Sequence, residues 1–404
     1  MRLRSFIALV LLLACLVSIS LYGYSLKSSS VPLSAVPGTN DFIAYWAGFR
    51  AAKAGLNPYS AADILSFERA EGFTGDTAQL FWNPPWLLTL FQPLLSLPLR
   101  QSALIWFVCN LLFVILSALL VAASVTSSGS ANFLRGKPQI VPFAFLASAF
   151  FVPVWDTIQL GQLSLLISTA FLALVWALNR KLDVLAGLLL ALLSIKPQTL
   201  YLVLLGIVFL LLDKRRWLVL CTAFLAWTVM LLLTALMLPV ALVTWSPLQG
   251  SPTHWKSVTL VTVIRELATK ISGATPAWPV LVVPLVTAII TLVWLFRKRP
   301  AVLDYRGPLI PILCASLITA PYGWIADQCT LAAAQIALVT LAIFNNNSSF
   351  VFRRLLLLVA ALQLITFLLR YAISSEQYFL WFPFAILALW WHGMHLIERG
   401  KITR

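Results

Sequence analysis

Long runs of apolar residues, interrupted by short polar turns, extend along almost the whole chain. A helix needs about 20 apolar residues to cross a hydrocarbon core about 30 Å thick, and many of the runs approach that length. The pattern therefore predicts twelve or thirteen membrane-spanning segments rather than a soluble core. The runs are 5–26, 84–97, 101–125, 140–154, 163–178, 184–195, 199–212, 217–238, 278–296, 308–320, 329–344, 355–369 and 378–391.

The composition leads to the same fold class, because 61% of the residues are hydrophobic and only 10% are charged. We expect an all-α polytopic membrane protein that forms one integral-membrane domain, 1–404, with about 12 transmembrane helices. Run 5–26 is longer than a signal-peptide core of about 7 to 15 residues and is interpreted as the first span. Run 84–97 is short and bracketed by prolines, which suits either a full span or a re-entrant half-helix.

The net charge of +15 would suggest nucleic acid binding if the basic residues formed one patch. Instead, most of the 28 Lys and Arg residues lie in short turns on one predicted side of the membrane, together with both termini. The positive-inside rule assigns that side to the cytoplasm. The charge pattern predicts a multi-pass protein of the plasma (inner) membrane with cytoplasmic termini and no nucleic acid partner.

The opposite side carries almost all of the unusual polar residues. The predicted outer segments are 27–83, 155–162, 196–198, 239–277, 321–328 and 374–377. The first is a long extracytoplasmic loop with interfacial helices, and 239–277 is a second large extracytoplasmic loop. Because the cytoplasmic turns are short and basic, we expect any active site to be extracytoplasmic.

The first outer loop contains a predicted amphipathic helix between residues 40 and 55. Asn40 or Asp41 can cap its start, and Gly55 can end it. Four aromatic residues fall at helical spacing and are predicted to face the membrane, so that the helix lies along the interface: Phe42, Tyr45, Trp46 and Phe49. On this pattern alone, the ordinary interpretation of Asp41 is a helix cap.

Lys196 lies in a Lys-Pro-Gln corner between two apolar runs that are each shorter than a normal span. An ionisable side chain recessed in the membrane is costly unless it has a partner, so Lys196 is expected to bind an anion. The alternative is a lysine that extends its ammonium to the interface. Other outer-segment candidates are Asn83 before two prolines, Gln162 after Gly161, His254, Lys256 and Arg265 in the late loop, and Tyr322, Asp327 and Gln328.

Sequence signatures of soluble enzymes do not occur in the chain. It has no P-loop, GxGxxG, HExxH, GxSxG or EF-hand pattern. Five cysteines lie in or beside apolar runs without CxxC spacing, which argues against a zinc site or a disulfide framework. We therefore expect no metal or cofactor, and any activated group to arrive within the membrane.

Several short motifs follow one another between about residues 40 and 330. They are Asp41-Phe42 with Tyr45-Trp46, Gly55 with Asn57-Pro58-Tyr59, Asn83-Pro84-Pro85 with Pro93, Gly161-Gln162, Gly187 before Lys196-Pro197, and Pro321-Tyr322 before Asp327-Gln328. In this order and spacing they resemble glycosyltransferase family 87, integral-membrane hexosyltransferases of the GT-C superfamily. Each motif is short, and their combination carries the resemblance.

The resemblance implies a polyprenyl-phosphate sugar donor, typically polyprenyl-phosphate mannose, with no nucleotide sugar and no obligatory metal. It also implies an extracytoplasmic active site in which an acidic residue of the first outer loop is the catalytic base. Asp41 stands at that position. The acceptor implied is a lipid or glycan of the cell envelope, which the motifs do not specify.

The required chemistry also fits the candidate residues. A base must accept the proton of the acceptor hydroxyl, which suits Asp41. Positive charge must stabilise the phosphate leaving group, which suits Lys196 with Arg265 or Lys256. Attack opposite the phosphate would invert the anomeric centre. The expected substrate-binding residues are Tyr45, Asn83, Gln162, His254, Tyr322, Asp327 and Gln328.

Two other functions use the same features. A secondary transporter can also contain short apolar segments broken by proline, although it should show repeated halves and mid-membrane ionisable residues. A membrane subunit that binds polyprenyl phosphate without transferring a hexose would need the same cation and groove. The lack of an evident internal repeat favours the enzyme.

Overall fold

The structure is a computed structural model and describes residues 36, 38–126, 139–246, 255–300, 303–345 and 349–402. These residues form helices joined by short turns, without a β-strand in those ranges. The α-helices are α1 (Phe42–Lys53), α2 (Ala61–Ala70), α3 (Trp86–Leu90), α4 (Gln92–Leu95), α5 (Leu99–Val125), α6 (Ile140–Ala149), α7 (Val152–Leu160), α8 (Ser164–Asn179), α9 (Asp183–Leu192), α10 (Tyr201–Asp213), α11 (Trp217–Met237), α12 (Pro239–Thr244), α13 (Leu260–Ser272), α14 (Pro279–Lys298), α15 (Leu309–Thr319), α16 (Ala332–Phe344), α17 (Ser349–Ala372) and α18 (Trp381–Ile402). Short 3₁₀ helices occupy Leu193–Ile195, Pro197–Thr199, Ile325–Leu331 and Glu376–Leu380.

Six of the described helices are long and apolar enough to cross a membrane, which confirms the prediction of a polytopic helical membrane protein. They are Leu99–Val125, Trp217–Met237, Pro279–Lys298, Ile325–Phe344, Phe350–Ala372 and Glu376–Arg399. Four further apolar helices are shorter: Ser164–Asn179, Asp183–Ile195, Tyr201–Asp213 and Leu309–Thr319. The number of about 12 spans stays a prediction, and run 5–26 lies outside the described residues.

The run 84–97 forms two very short helices rather than a continuous one. Helix α3 has 5 residues and α4 has 4. At a rise of about 1.5 Å per residue, neither approaches the thickness of a bilayer. Of the two alternatives for this run, the structure favours the re-entrant segment.

The run 140–154, predicted as one span, is divided into two helices. Helices α6 and α7 meet at an angle of 61°. Pro153 lies in the first turn of α7, where its missing N–H has no intrahelical partner to lose. The backbone N–H of Val152 at the break donates to Oε1 of Gln363 at 3.0 Å, so the bend leaves this donor satisfied.

Helix α16 forms the centre of the bundle. Nearly all of its residues are buried, and α5, α6, α17 and α18 pack around it. A membrane helix that is apolar on all sides and covered on all sides belongs to the interior of a helix bundle. The other long helices consequently expose apolar side chains on their outer surfaces.

The first outer loop is helical as predicted, but its aromatic stripe does not face outwards. The stripe residues are all buried: Phe42, Tyr45, Trp46 and Phe49. The Phe42 ring stacks on Trp106 of α5 with centroids 6.0 Å apart, and the Trp46 indole donates to the carbonyl of Leu97 at 2.9 Å. The predicted membrane-facing orientation is therefore wrong, because periodicity identifies an apolar face but not what covers it.

The start of α1 is held against the turn that follows α7. The backbone N–H of Gly38 donates to Gln159, and that of Asp41 donates to Leu160 at 2.8 Å. Gly161 ends α7 with a positive φ of 74°, and a Cβ there would collide with the carbonyl group of Gly38. The close approach of these two segments therefore requires glycine at position 161.

Replacing Gly161 tests this contact, and Gly273 provides a matched control. Gly273 ends α13 with the same φ of +74°, but a Cβ there meets nothing within 4 Å. Both Gly→Ala changes place a side chain at a positive φ and so strain the backbone. Only in Gly161→Ala does the new Cβ also collide with a neighbouring segment, at the carbonyl group of Gly38. We expect Gly161→Ala to destabilise the protein by about 1–3 kcal/mol more than Gly273→Ala, measured by thermal unfolding in detergent. Equal losses would contradict the proposed contact.

Candidate functional site

A polar cavity of ≈ 310 Å³ lies at one end of the bundle. Every one of the six predicted outer segments contributes to its wall. The lining residues are Asp41, Ala44, Tyr45, Gln79, Leu80, Trp82, Asn83, Leu160, Gln162, Lys196, Gln198, Trp255, Tyr322, Trp324 and Glu376. Segments that share one cavity lie at the same end of the bundle, as the predicted alternation of the spans requires.

Asp41 occupies the N-cap position of α1, but its side chain makes no capping hydrogen bond. The sequence had suggested a cap as the ordinary interpretation. Gln162 instead donates a side-chain hydrogen bond to the Asp41 carboxylate. Because the backbone N–H of Asp41 is bound to Leu160, the carboxylate is directed into the cavity rather than along the helix.

The protein around Asp41 shields its carboxyl group from bulk water although the residue lines the cavity. This desolvation raises the pKa of Asp41 from 3.8 to about 6, against the lowering effects of the Gln162 hydrogen bond and the positive charge of Lys196. A carboxylate with a pKa near neutral pH is a stronger base than an exposed one. Asp41 is therefore suited to accept a proton near physiological pH.

Lys196 lies between two 3₁₀ helices where the chain leaves the α-helical conformation. Its side chain is only 10% exposed, and its Nζ lies 2.5 Å from Oδ1 of Asp327. Nζ also donates to Oγ of Ser164 at 3.2 Å and to Oε1 of Gln162 at 3.5 Å. The recessed lysine thus has an anionic partner within the protein, and it does not extend to the interface.

Asp327 holds this network together. Its Oδ1 accepts from the Ser164 hydroxyl at 2.6 Å, and its Oδ2 accepts from the backbone N–H of Trp324 at 2.9 Å. The Ser164 hydroxyl also lies 3.0 Å from Oε1 of Gln162. Asp327 was predicted to bind substrate, but its oxygens are engaged with Lys196 and its neighbours in the structure.

Two tyrosine hydroxyls complete the polar wall. Burial, with the negative charges of Asp41 and Asp327, raises the pKa of Tyr45 well above its usual value. Burial and Asp327 raise the pKa of Tyr322 to about 12. Both hydroxyls therefore remain protonated at neutral pH and can donate hydrogen bonds to a ligand.

Aromatic rings around Trp255 form another part of the cavity wall. The Trp255 ring centroid lies 5.2 Å from that of Trp82, 5.4 Å from Tyr322 and 5.5 Å from Trp324. These edge-to-face and tilted contacts are typical of packed aromatic clusters. Arg265 donates to the backbone carbonyl of Trp255 and so fixes the segment that carries the central ring.

An apolar groove, the first groove, adjoins the cavity. It has a volume of ≈ 780 Å³ and includes residues of α9, α11 and α14. Trp82, Asn83, Gln198 and Tyr322 line both the groove and the cavity. A ligand with an apolar chain and a polar end can therefore occupy both spaces at once.

Five predicted site residues are not in the described cavity wall: Asp327, which lies behind it, Arg265, Lys256, Gln328 and His254. Arg265 binds Trp255, and burial lowers its pKa from the usual value. Lys256 is exposed, and Gln328 is buried without a hydrogen-bond partner for its Oε1. His254 lies outside the described residues. The predicted pairing of Arg265 or Lys256 with Lys196 does not occur within the described cavity.

Glu376 is the main site residue that sequence reasoning missed. Its Oε2 accepts from the backbone N–H of Ile325 at 2.9 Å, and its Oε1 lies 3.6 Å from the Arg370 guanidinium. The only available signal was an acidic residue in the short outer segment 374–377. Trp255, Trp324 and Gln79 were also missed as cavity residues, since a single aromatic or amide in a loop has no distinctive pattern.

Among the described residues at the cavity, acidic side chains outnumber basic ones. Asp41 and Glu376 line it, Asp327 lies directly behind it, and Lys196 provides the positive charge. Within the part of the chain that the structure describes, no group of three or more His, Cys, Asp and Glu side chains could hold a metal ion.

The apolar helices long enough to cross a membrane define an integral-membrane protein, and the cavity with its adjoining apolar groove is its candidate site. The sequence model of glycosyltransferase family 87 matches residues 81–321. The match covers more than half of the chain, so the protein belongs to this family and is a membrane glycosyltransferase. Asp41, Tyr322 and Asp327 lie outside the matched residues. No curated protein and no solved structure matches the chain.

The buried Lys196–Asp327 pair can be tested by a double-mutant cycle. Removing one partner leaves an uncompensated charge, so Lys196→Met or Asp327→Leu should each cost about 3–5 kcal/mol of stability. The double variant should lose less than the sum of the single losses. The more exposed Arg216–Asp183 pair is the control, with an expected coupling below about 1 kcal/mol. Additive losses at Lys196 and Asp327, measured by thermal unfolding, would contradict this account.

Proposed function

We propose that this family member transfers a hexose from a polyprenyl-phosphate donor to a hydroxyl group of a lipid or glycan acceptor, with Asp41 as the general base. The observation that carries the proposal is the continuity of a polar cavity containing Asp41 with a long apolar groove. A lipid-linked sugar has an apolar chain that would fit the groove and a polar head that would fit the cavity. Mannose is the first hexose to test, because the sequence resemblance implies it.

The first groove supports the binding of the prenyl chain. Its wall includes apolar and aromatic side chains such as Leu190, Trp227 and Val280, and its volume lies within the usual range of about 300–1,000 Å³ for ligand sites. The groove joins the cavity at Asn83 and Tyr322. A chain bound there would bring its phosphate to the boundary between the two spaces.

Lys196 is the proposed partner of the donor phosphate. Its ammonium has three donors, which are directed to Asp327, Ser164 and, at the long distance of 3.5 Å, Gln162. A phosphate oxygen could replace the longest of these contacts while the bond to Asp327 remains. Positive charge at this point would stabilise the polyprenyl phosphate as it leaves.

Asp41 would take the proton from the acceptor hydroxyl as its oxygen attacks the anomeric carbon. The bond from that carbon to the phosphate oxygen breaks, and the electron pair leaves with the polyprenyl phosphate. Because the phosphate already carries its negative charge, no acid is needed to protonate it. A single displacement of this kind inverts the anomeric centre.

The remaining cavity groups suit a sugar. Trp82, Trp255 and Trp324 offer apolar ring surfaces, while Tyr45 and Tyr322 offer hydroxyl donors. A pyranose has an apolar face of C–H groups and a rim of hydroxyls, so both kinds of surface are useful. We place this site on the extracytoplasmic face of the plasma membrane, in accord with the charge pattern of the turns.

The pH dependence of transfer should reveal the base. Because Asp41 must be deprotonated to act, kcat/KM should fall as the pH drops below about 6, the pKa of this residue. Glu68 is the competing explanation, since burial raises its pKa to about 7. We expect Glu68→Gln to retain the fall in kcat/KM at low pH. Loss of this fall in Glu68→Gln would show that Glu68, rather than Asp41, is the titrating group.

Donor turnover provides the direct test. Purified protein should release polyprenyl phosphate from radiolabelled polyprenyl-phosphate mannose when envelope lipids are supplied as acceptor. Asp41→Asn should lower this rate about 10²–10⁴-fold, because it removes the base, while donor binding is retained. Asp76→Asn, an exposed acid of the same outer loop, should behave as wild type.

Other outcomes of this assay would identify the alternatives. A wild-type rate in Asp41→Asn would show that the base is wrongly assigned. Binding of the donor without turnover, for mannose and glucose donors alike, would favour a polyprenyl-phosphate-binding subunit. Uptake of a solute without donor turnover would favour a secondary transporter.

A further inference from the structure

A second apolar groove, of ≈ 770 Å³, lies between the bent pair α6–α7 and the helices α16 and α17. It is nearly as large as the first groove and shares no lining residue with it. Phe150 and Leu364 on its rim are 67% and 59% exposed, so the groove is open to its surroundings. The proposed donor does not account for this space.

Two buried glutamines in the wall of the otherwise largely apolar second groove distinguish it from an ordinary lipid-facing surface. Gln335 and Gln363 line the groove and are both buried. Nε2 of Gln363 donates to Oε1 of Gln335 at 3.0 Å, and Nε2 of Gln335 donates to the Ala147 carbonyl at 2.8 Å. Each amide nitrogen carries a second N–H, which could bind an oxygen atom of a ligand in the groove.

One end of the groove lies close to the cavity. Gln159 lines the groove, and the next residue, Leu160, lines the cavity. Arg370 lines neither space, but it lies in a chain of ion pairs between α7, which lines the groove, and Glu376, which lines the cavity: its Nε lies 3.3 Å from Oδ1 of Asp156 and its Nη2 lies 3.6 Å from Oε1 of Glu376. A molecule in the groove would have to extend its polar end past these ion pairs to reach the cavity.

The charges along this route select the kind of head group. The two negative charges of Asp156 and Glu376 exceed the single positive charge of Arg370. In the cavity beyond, acidic side chains also outnumber basic ones. A bound donor would add a further negative phosphate. An anionic head group would therefore be repelled, whereas hydroxyl groups could donate to the carboxylates.

The spacing along α17 suits an acyl lipid. Gln363 and Arg370 are separated by seven residues, or about 10 Å along a helix. The amide pair would meet an oxygen atom of the lipid, such as an ester carbonyl, about that far below the head group. An unsubstituted isoprenoid chain has no such oxygen.

We propose that the second groove binds the acceptor, an acyl lipid whose neutral head group carries the reacting hydroxyl. The inference rests on the proposed function and deepens it by assigning the class of acceptor. The two substrates then enter the cavity from separate grooves: the donor past Asn83 and Tyr322, the acceptor past Arg370 and Glu376.

The test uses two adjacent alanines of α17. Ala360 lines the second groove and Ala361 does not, although both are exposed. The full chain in nanodiscs is exposed to monoglucosyl-diacylglycerol with a photoactivatable acyl chain, and labelled peptides are identified by mass spectrometry. Labelling should concentrate on α6 and α17. It should fall about tenfold, equivalent to 1.4 kcal/mol, in Ala360→Trp and stay unchanged in Ala361→Trp.

A second probe tests the charge of the head group. Phosphatidylglycerol with the same photoactivatable chain should label the groove about tenfold less. Equal labelling by the two probes, equal labelling of the two variants, or labelling spread evenly over the lipid-facing helices would overturn the inference.

Release of polyprenyl phosphate from the donor is measured in the same samples. Ala360→Trp should lose turnover and keep donor binding, which would support the assignment of the acceptor site. Normal turnover in Ala360→Trp would overturn it while the proposed function stands. Absence of donor turnover in wild type with the probe alone, but not after envelope lipids are added, would overturn the assignment of the acceptor class; absence of turnover in both cases would defeat the proposed function.

Discussion

The buried pair of Lys196 and Asp327 is the interaction on which the site depends. Each residue lies where a helix is interrupted, and the pair joins the two interruptions across the bundle. Neither charge would be tolerated alone in a membrane-embedded interior. Ser164 and Gln162 bind the same pair, so the position of Gln162, and with it the partner of Asp41, follows from this contact.

The site is built where helices are interrupted, and each interruption releases backbone N–H groups from the helical hydrogen-bond pattern. Each free N–H must then find a partner. Val152 donates to Gln363, Trp324 to Asp327, and Ile325 to Glu376. The side chains that satisfy the breaks therefore include two that form the cavity and its network. The carboxylates of Asp327 and Glu376 thus support the fold and also belong to the candidate site.

Asp41 illustrates how tertiary contacts change the role of a residue. A carboxylate at the start of a helix normally caps it. Here the segment before α1 is bound to the turn after α7 by backbone hydrogen bonds that Gly161 makes possible. The carboxylate instead accepts a hydrogen bond from Gln162 and lines the cavity, where desolvation makes it a stronger base.

Much of the architecture could be predicted from the sequence, since apolar runs and breaks are local properties. The predicted runs correspond closely to helices such as α5, α11 and α14, and Gly55, with its positive φ, follows the end of α1 as expected. The alternation of spans also predicted which six segments meet at one end. That this end faces outwards stays a prediction from the excess of basic turns in the other predicted segments.

The tertiary structure alone decided which residues meet. The pairing of Lys196 with Asp327, 131 positions apart in the chain, has no local pattern, and the same holds for Glu376 beside Ile325. The aromatic stripe of α1 was visible as a face, but whether lipid or protein covered it depended on α5. Periodicity reports how a helix is divided into faces, whereas the packing of distant helices determines what each face contacts.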